Sequence, residues 1–309
     1  MVPLTYDRLC AEIETRTRAV IAVVEHADLT ASVPSCPGWD LGHLLQHIGG
    51  VHRWMAEIVG TRATAPIDGE FVDDPTASRI DPGELVPWLH DGAAKLTATL
   101  RAADPDIAVW SPGPAGTPRF WARRAMLETA LHGCDAAEAV GADMQLPPEL
   151  AADGFEEWLD NASVPEAYES RPDLPDLLGP GRGLVFDATE TFGTAGPTVV
   201  PTSPNVADPA STAATSSATS PDSDPTGTAP SNTAEPVGVT GDIGSWVVDL
   251  GGQAATWRRG TGPGSVWVGG AVADLLLYVY RRPHGALRLT GDIELLELWR
   301  TRAGFWLNA

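Results

Sequence analysis

The sequence predicts an α+β chain in two parts, an N-terminal four-helix bundle followed by a small α/β domain with an antiparallel sheet. Three observations carry that expectation. The 309 residues suffice for two domains of ordinary size, and a hydrophobic fraction of 43% is that of a soluble globular protein. Up to about Asn161 the apolar residues recur at helical spacing, whereas from Gly183 they alternate at the period of a strand. Between about Gly193 and Gly241 the chain is nearly all Pro, Ser, Thr, Ala, Gly and Asp. That stretch has almost no large apolar residue to offset ordering entropy, so it is expected to be disordered. The expected domains are therefore residues 1–165 and 183–309, the second interrupted at 193–241.

Charge narrows the partners. With 41 acidic residues against 20 basic ones the formal charge is −21, and Lys95 is the sole lysine. Such a surface repels nucleic acid and anionic membrane and leaves a small molecule as the expected ligand. The N-terminus lacks the pattern of a signal peptide, and no apolar run is long enough to span a bilayer. Cys10, Cys36 and Cys134 are odd in number and widely spaced, which suits reduced thiols. A cytoplasmic monomer is the expected state.

Taken in order, Thr5 to His26 reads as a first helix with Leu9, Ile13, Val20 and Val24 on one face. A turn-rich patch, Ser32 to Trp39, leads to Asp40, a good N-cap for a second helix reaching about Val59. A polar connection, Thr61 to Arg79, precedes a third helix from Asp81-Pro82 to about Ala102. The fourth, Thr117 to Gly141, has a capping threonine, proline at its first turn and a glycine to end it. Its core stripe is Phe120, Leu127, Leu131 and Cys134. A fifth helix runs from Pro147 to Asn161. Strands are expected at 183–190, 244–250, 255–258, 265–268 and 287–290, with helices at 271–280 and 292–303.

The chemistry of interest starts on the fourth helix. Glu128 and His132 lie one turn apart on the flank of its stripe. Such a pair can contribute to a metal site, and it can equally be a hydrogen-bonded surface pair. A third ligand would have to come from elsewhere, and the second helix carries His43, His47 and His52. At about 100° per residue, His43 falls outside the apolar arc, His47 on its border and His52 inside it. Periodicity leaves the choice among them open.

The segments CPGWDLGHLLQHIGGVHRW (Cys36–Trp54) and FWARRAMLETALHGCDA (Phe120–Ala136) resemble the mycothiol-dependent maleylpyruvate isomerase family. Weaker matches are VWVGGAVADLLLYVYRRPHG and LTGDIELLELW in the second part. The resemblance implies a DinB-like metal-binding bundle and a small sterol-carrier-like α/β domain. It implies His47, Glu128 and His132 as ligands of a divalent metal, Zn2+ by expectation, with mycothiol as thiol cosubstrate. It also implies Arg282, in the turn YRRPHG, as an arginine reaching the substrate; Arg281 is its neighbour in the alignment. Two positions depart from the family pattern: Leu127 stands where relatives often have histidine, and Gly133-Cys134 follows His132 where a basic residue is more usual.

Two histidines and a carboxylate leave a position open on a divalent metal, as in catalytic zinc sites. A thiol there would be acidified. The implied activity is cis–trans isomerisation of the maleylpyruvate type, or thiol S-transfer. Asp135, three residues after His132, is read as a solvent-facing residue with a hydrogen bond to His132 as the alternative. Packing and surface roles are expected for Trp121 and Arg124, and structural roles for Cys36 and Cys134. Two other classes fit the same residues: a carrier of an apolar ligand, and a metal-binding sensor or stress protein without the reaction.

Overall fold

The computed structural model describes residues 3–69, 80–113, 116–188 and 244–304. The interruption expected at 193–241, the end of the Thr61–Arg79 connection and the last two residues of the strand expected at 183–190 lie outside them. Five helices come first: α1 (Tyr6–Val24), α2 (Leu41–Thr61), α3 (Leu85–Ala102), α4 (Pro118–Val140) and α5 (Pro148–Ala162). Their ends are set by the residues that suit them. The side chains of Thr5, Asp40 and Thr117 accept hydrogen bonds from the backbone N–H groups of Arg8, His43 and Phe120, satisfying first-turn donors. Gly141 ends α4 in the left-handed region, at φ 68°, where a side chain would be strained. A single 3-10 turn, Pro82–Glu84, leads into α3. In the bundle α1 lies against α4 and α2 against α3.

A short helix, α6 (Pro165–Ser170), follows and was not expected. With six residues it is too short to show a periodic stripe. The sheet then forms from β1 (Gly183–Ala188), β2 (Gly244–Asp249), β3 (Thr256–Arg259), β4 (Val266–Gly270) and β5 (Arg288–Gly291). Helix α7 (Val272–Val279) lies between β4 and β5, and α8 (Ile293–Ala303) closes the described chain. The strand order is β3-β2-β1-β4-β5.

Three of the four pairings are antiparallel, as expected, but β1 and β4 run parallel, so the sheet is mixed. The reason is burial. Leu184, Val185 and Phe186 are all buried, so β1 is a central strand covered on both faces and needs partners on both edges. The β2 hairpin fills one edge, and β4 arrives on the other after the chain has crossed the sheet. Alternation identifies a strand but not its neighbours.

Aromatic side chains join the helical and sheet parts. Phe155 of α5 has its ring centroid 5.0 Å from those of both Phe186 and Trp246, and Trp158 lies 4.6 Å from Trp299 of α8. Rings at these separations add edge and offset contacts to large buried areas. One apolar cluster therefore runs from Leu9 and Ile13 in the bundle to Leu296 and Trp299 beneath the sheet. A second cluster, with Val20, Leu41, Leu44 and Leu89, fills the end of the bundle next to the turn at 31–40. No helix among the described residues is long and apolar enough to cross a membrane.

Candidate metal centre

His47, Glu128 and His132 come together between α2 and α4. Their potential ligand atoms all lie within 4.8 Å of one another. His47 Nε2 is 3.4 Å from Glu128 Oε1, and His132 Nε2 is 3.0 Å from the same oxygen. Ligand atoms at about 2.1 Å from a tetrahedral metal stand about 3.4 Å apart, so the donor set has the spacing and chemistry of a divalent-metal site. The other two histidines of α2 go elsewhere. His43 Nδ1 is 3.2 Å from Asp40 Oδ1 at the helix start. His52 is buried, with Nε2 2.8 Å from Thr129 Oγ1.

Packing explains the division of labour on α4. Leu127 is 1% exposed, and its Cδ1 would be 2.6 Å from a side-chain carbon placed on Gly154 of α5. That position is therefore core, one residue away from the flank carrying Glu128. The turn before α2 supplies a wall: the Trp39 ring lies 4.8 Å from His47 and stacks on His132 at 6.2 Å.

Asp135 corrects the expectation of a solvent-facing aspartate. Its side chain is 1% exposed and lies 2.8 Å from His132 Nδ1. It also accepts from Ser35 Oγ at 2.7 Å, from Cys36 Sγ at 3.7 Å, and from Arg282 at both Nε and Nη2, each at 2.7 Å. The proton on His132 Nδ1 is thereby held toward Asp135, which leaves Nε2 facing Glu128 and His47. Arg282 thus stands at the centre as a partner of Asp135, whereas Arg281 turns away to donate to the Thr301 carbonyl. Arg281 itself has φ 60°, the left-handed turn that lets its neighbour double back.

Arg124 is likewise no surface residue. It donates through Nη2 to Glu128 Oε2, and through Nη1 to Glu157 Oε2 at 2.8 Å and Tyr280 Oη at 3.2 Å. Trp121 packs as expected, buried, with its indole N–H donating to the Trp110 carbonyl at 2.9 Å.

Electrostatics follow from these contacts. Burial disfavours the Glu128 carboxylate, but Arg124, with His132 and His47, outweighs it and holds the carboxyl well below its ordinary range. Burial also opposes a charged His132, but hydrogen bonds with Asp135, Cys36 and Glu128 hold its protonated form well above the usual range. Asp135 is held low against burial by His132 and Arg282. All three cysteines are free; burial pushes Cys134 up to about 12 and Cys10 up to about 11, far from a reactive thiolate.

Sequence reasoning missed the wall made by Trp39, the ion pair of Asp135 with Arg282, and the reach of Arg124 to Glu157. The only local signals were spacings on α4, His132 to Asp135 at three residues and Arg124 to Glu128 at four. The partners on the turn, on α5 and after α7 are long-range and left no mark in the sequence.

Residues 10–137 match the family model described as the mycothiol maleylpyruvate isomerase N-terminal domain. Two solved structures share the fold: the crystal structure of a mycothiol-dependent maleylpyruvate isomerase, with a TM-score of 0.54, and that of a histidine-to-alanine mutant of such an enzyme, with 0.53. Each is 13% identical, and each alignment covers 94% of this chain and 96% of the other. No curated protein matches the chain. Through residues 10–137 the chain is thus similar to the mycothiol maleylpyruvate isomerase N-terminal domain, and over nearly its whole length it shares the fold of these two solved structures.

Proposed function

We propose that this protein is a divalent-metal-dependent enzyme that uses a low-molecular-weight thiol, mycothiol, for cis–trans isomerisation of the maleylpyruvate type or for S-transfer to an electrophile. The observation that carries the reading is the convergence of His47, Glu128 and His132, with His132 braced from behind by Asp135. The family match supports the thiol. On this reading the bundle, residues 1–165, supplies the ligands, and residues 183–309 bring Arg282 to them.

A nitrogen-rich set of two imidazoles and one carboxylate suits Zn2+. When bound, such an ion would lower the pKa of a thiol placed at its open position. The chain's own residues do the rest. Asp135 fixes the tautomer and plane of His132, and Trp39 shields the imidazoles with an apolar face. Arg282, paired with Asp135, places a cation close to where an anionic sulfur or a substrate carboxylate would lie. The thiol sulfur would add to a conjugated double bond, leaving a single bond free to rotate before the sulfur departs. If the sulfur stays on the electrophile, the outcome is S-transfer. The same side chains serve both.

The test is to measure metal in the purified protein and to assay mycothiol with maleylpyruvate and a panel of electrophiles. About one divalent ion per chain is expected, with both ion and thiol-dependent turnover lost in His47→Ala, Glu128→Ala and His132→Ala. Stoichiometric metal in the triple mutant would refute the site. Tight metal without turnover on any electrophile would point to a sensor, and function untouched by His47→Ala to a carrier.

A further inference from the structure

We propose that Arg124 is a positioning residue that takes one oxygen of Glu128 out of use, so that this carboxylate offers only Oε1 to a metal shared with His47 and His132. The inference rests on the metal reading above. The two oxygens of Glu128 have separate partners. Oε1 faces the two imidazoles, at 3.4 and 3.0 Å, while Oε2 accepts from Arg124 Nη2. Arg124 cannot swing away, because Nη1 is tied to Glu157 Oε2 at 2.8 Å and to Tyr280 Oη at 3.2 Å. Its side chain is 18% exposed, and α4, α5 and the end of α7 each contribute to its cage.

An unconstrained carboxylate can bind a divalent ion through both oxygens, which would fill the position that a cosubstrate needs. A guanidinium on Oε2 prevents that. It also cancels the carboxylate's charge, leaving a neutral ligand set around the ion. A cation so close weakens the hold on a divalent ion and strengthens the pull on an anion at the open position. Arginine suits the task because its planar fork can donate to both Glu128 and Glu157, whereas an ammonium is a point charge. Stability alone explains the arrangement poorly. Glu157 is 3% exposed, its Oε1 has no hydrogen-bond partner among the described residues, and burial raises its pKa. A buried carboxylate so incompletely served costs stability, and here its cost secures Arg124.

Co2+ is the probe. The full chain and the variants R124Q/E157Q and R124K are loaded with it, folding is checked by circular dichroism, and visible absorption and affinity are measured. The double substitution removes the Arg124 cation together with the Glu157 carboxylate tied to it, so that Glu157 is not left buried without that partner. Wild-type protein should give the strong bands of a four-coordinate ion. R124Q/E157Q should lose absorbance several-fold, as Glu128 closes on the ion with both oxygens, and should bind Co2+ roughly tenfold tighter. R124K, which cannot span both carboxylates, should shift the same way by less, and it carries the test if the double variant does not fold. Wild-type spectrum and affinity in the folded variants would overturn the inference while leaving the metal site standing. A wild-type chain that takes up no Co2+ would overturn both.

Discussion

Asp135 accepts hydrogen bonds from His132, Ser35, Cys36 and Arg282 while almost wholly withdrawn from solvent. A carboxylate behind a metal-binding imidazole raises its basicity and fixes its ring. Asp135→Asn keeps the shape but offers one acceptor oxygen where His132 and both arms of Arg282 need two. Metal affinity should fall about 10- to 100-fold, measured by competition with a chromophoric chelator; wild-type affinity in the folded variant would remove Asp135 from the centre. His52 makes a different point at the same scale. Burial, then the nearby Arg53, push its pKa down to about 3, so it is neutral when folded. Between that value and the ordinary 6.5 the unfolded chain binds a proton that the folded chain does not. Stability from this group is therefore complete above 6.5 and is lost as pH falls toward 3. With chelator present, wild-type protein should lose about 2 kcal/mol more than His52→Gln between pH 7 and pH 5, at about 1.4 kcal/mol per pH unit. Equal losses in urea titrations would show that His52 does not feel its burial.

At the scale of elements, α4 presents two neighbouring faces with different tasks. Leu127 enters the core against Gly154, while Glu128 and His132 stay on the flank that meets α2. Leu127→Ala should therefore cost about 2–5 kcal/mol and leave metal stoichiometry unchanged, read by urea unfolding and metal analysis side by side. Loss of metal at full stability would place Leu127 in the site. The core position of Leu127, the flank carrying Glu128 and His132, the capping Thr117 and the closing Gly141 were legible in the sequence, because each follows from spacing or local backbone preference. So were the other long helices and the strands, to within a residue or two, except that α3, expected from Asp81-Pro82, starts at Leu85 behind a 3-10 turn. That His47, rather than His43 or His52, faces Glu128 and His132 was implied only by the family resemblance, since periodicity places a side chain on an arc and says nothing of what faces that arc. The parallel β1–β4 pair, Asp135 as a shared acceptor and Arg124 as a bridge depend on chain segments far apart in sequence. Local pattern carries no information about those meetings.

At the scale of the whole molecule, the sheet part completes the site rather than trailing behind it. Arg282 reaches Asp135 from the turn after α7, and Arg259 of β3 donates to Glu156 of α5 at 2.8 Å. The second tie begins in β3, which pairs with β2 of the β1–β2 hairpin, and residues 189–243 join that hairpin's two ends. Those ends are adjacent, because Ala188 pairs with Gly244 in the ladder. A short turn can make the same connection, and Asn-Gly suits the twist of an antiparallel pair. Replacing residues 189–243 by a four-residue turn with Asn-Gly at its centre shortens the loop more than tenfold, and closure entropy rises with the logarithm of loop length. The shortened chain should gain about 2 kcal/mol in unfolding free energy and should match the full chain in metal content and in thiol-dependent turnover. Urea titration, metal analysis and the electrophile assay on the two chains decide the matter. If the shortened chain folds but loses turnover, the segment takes part in handling substrate; if it loses its cooperative transition, the segment supports the sheet.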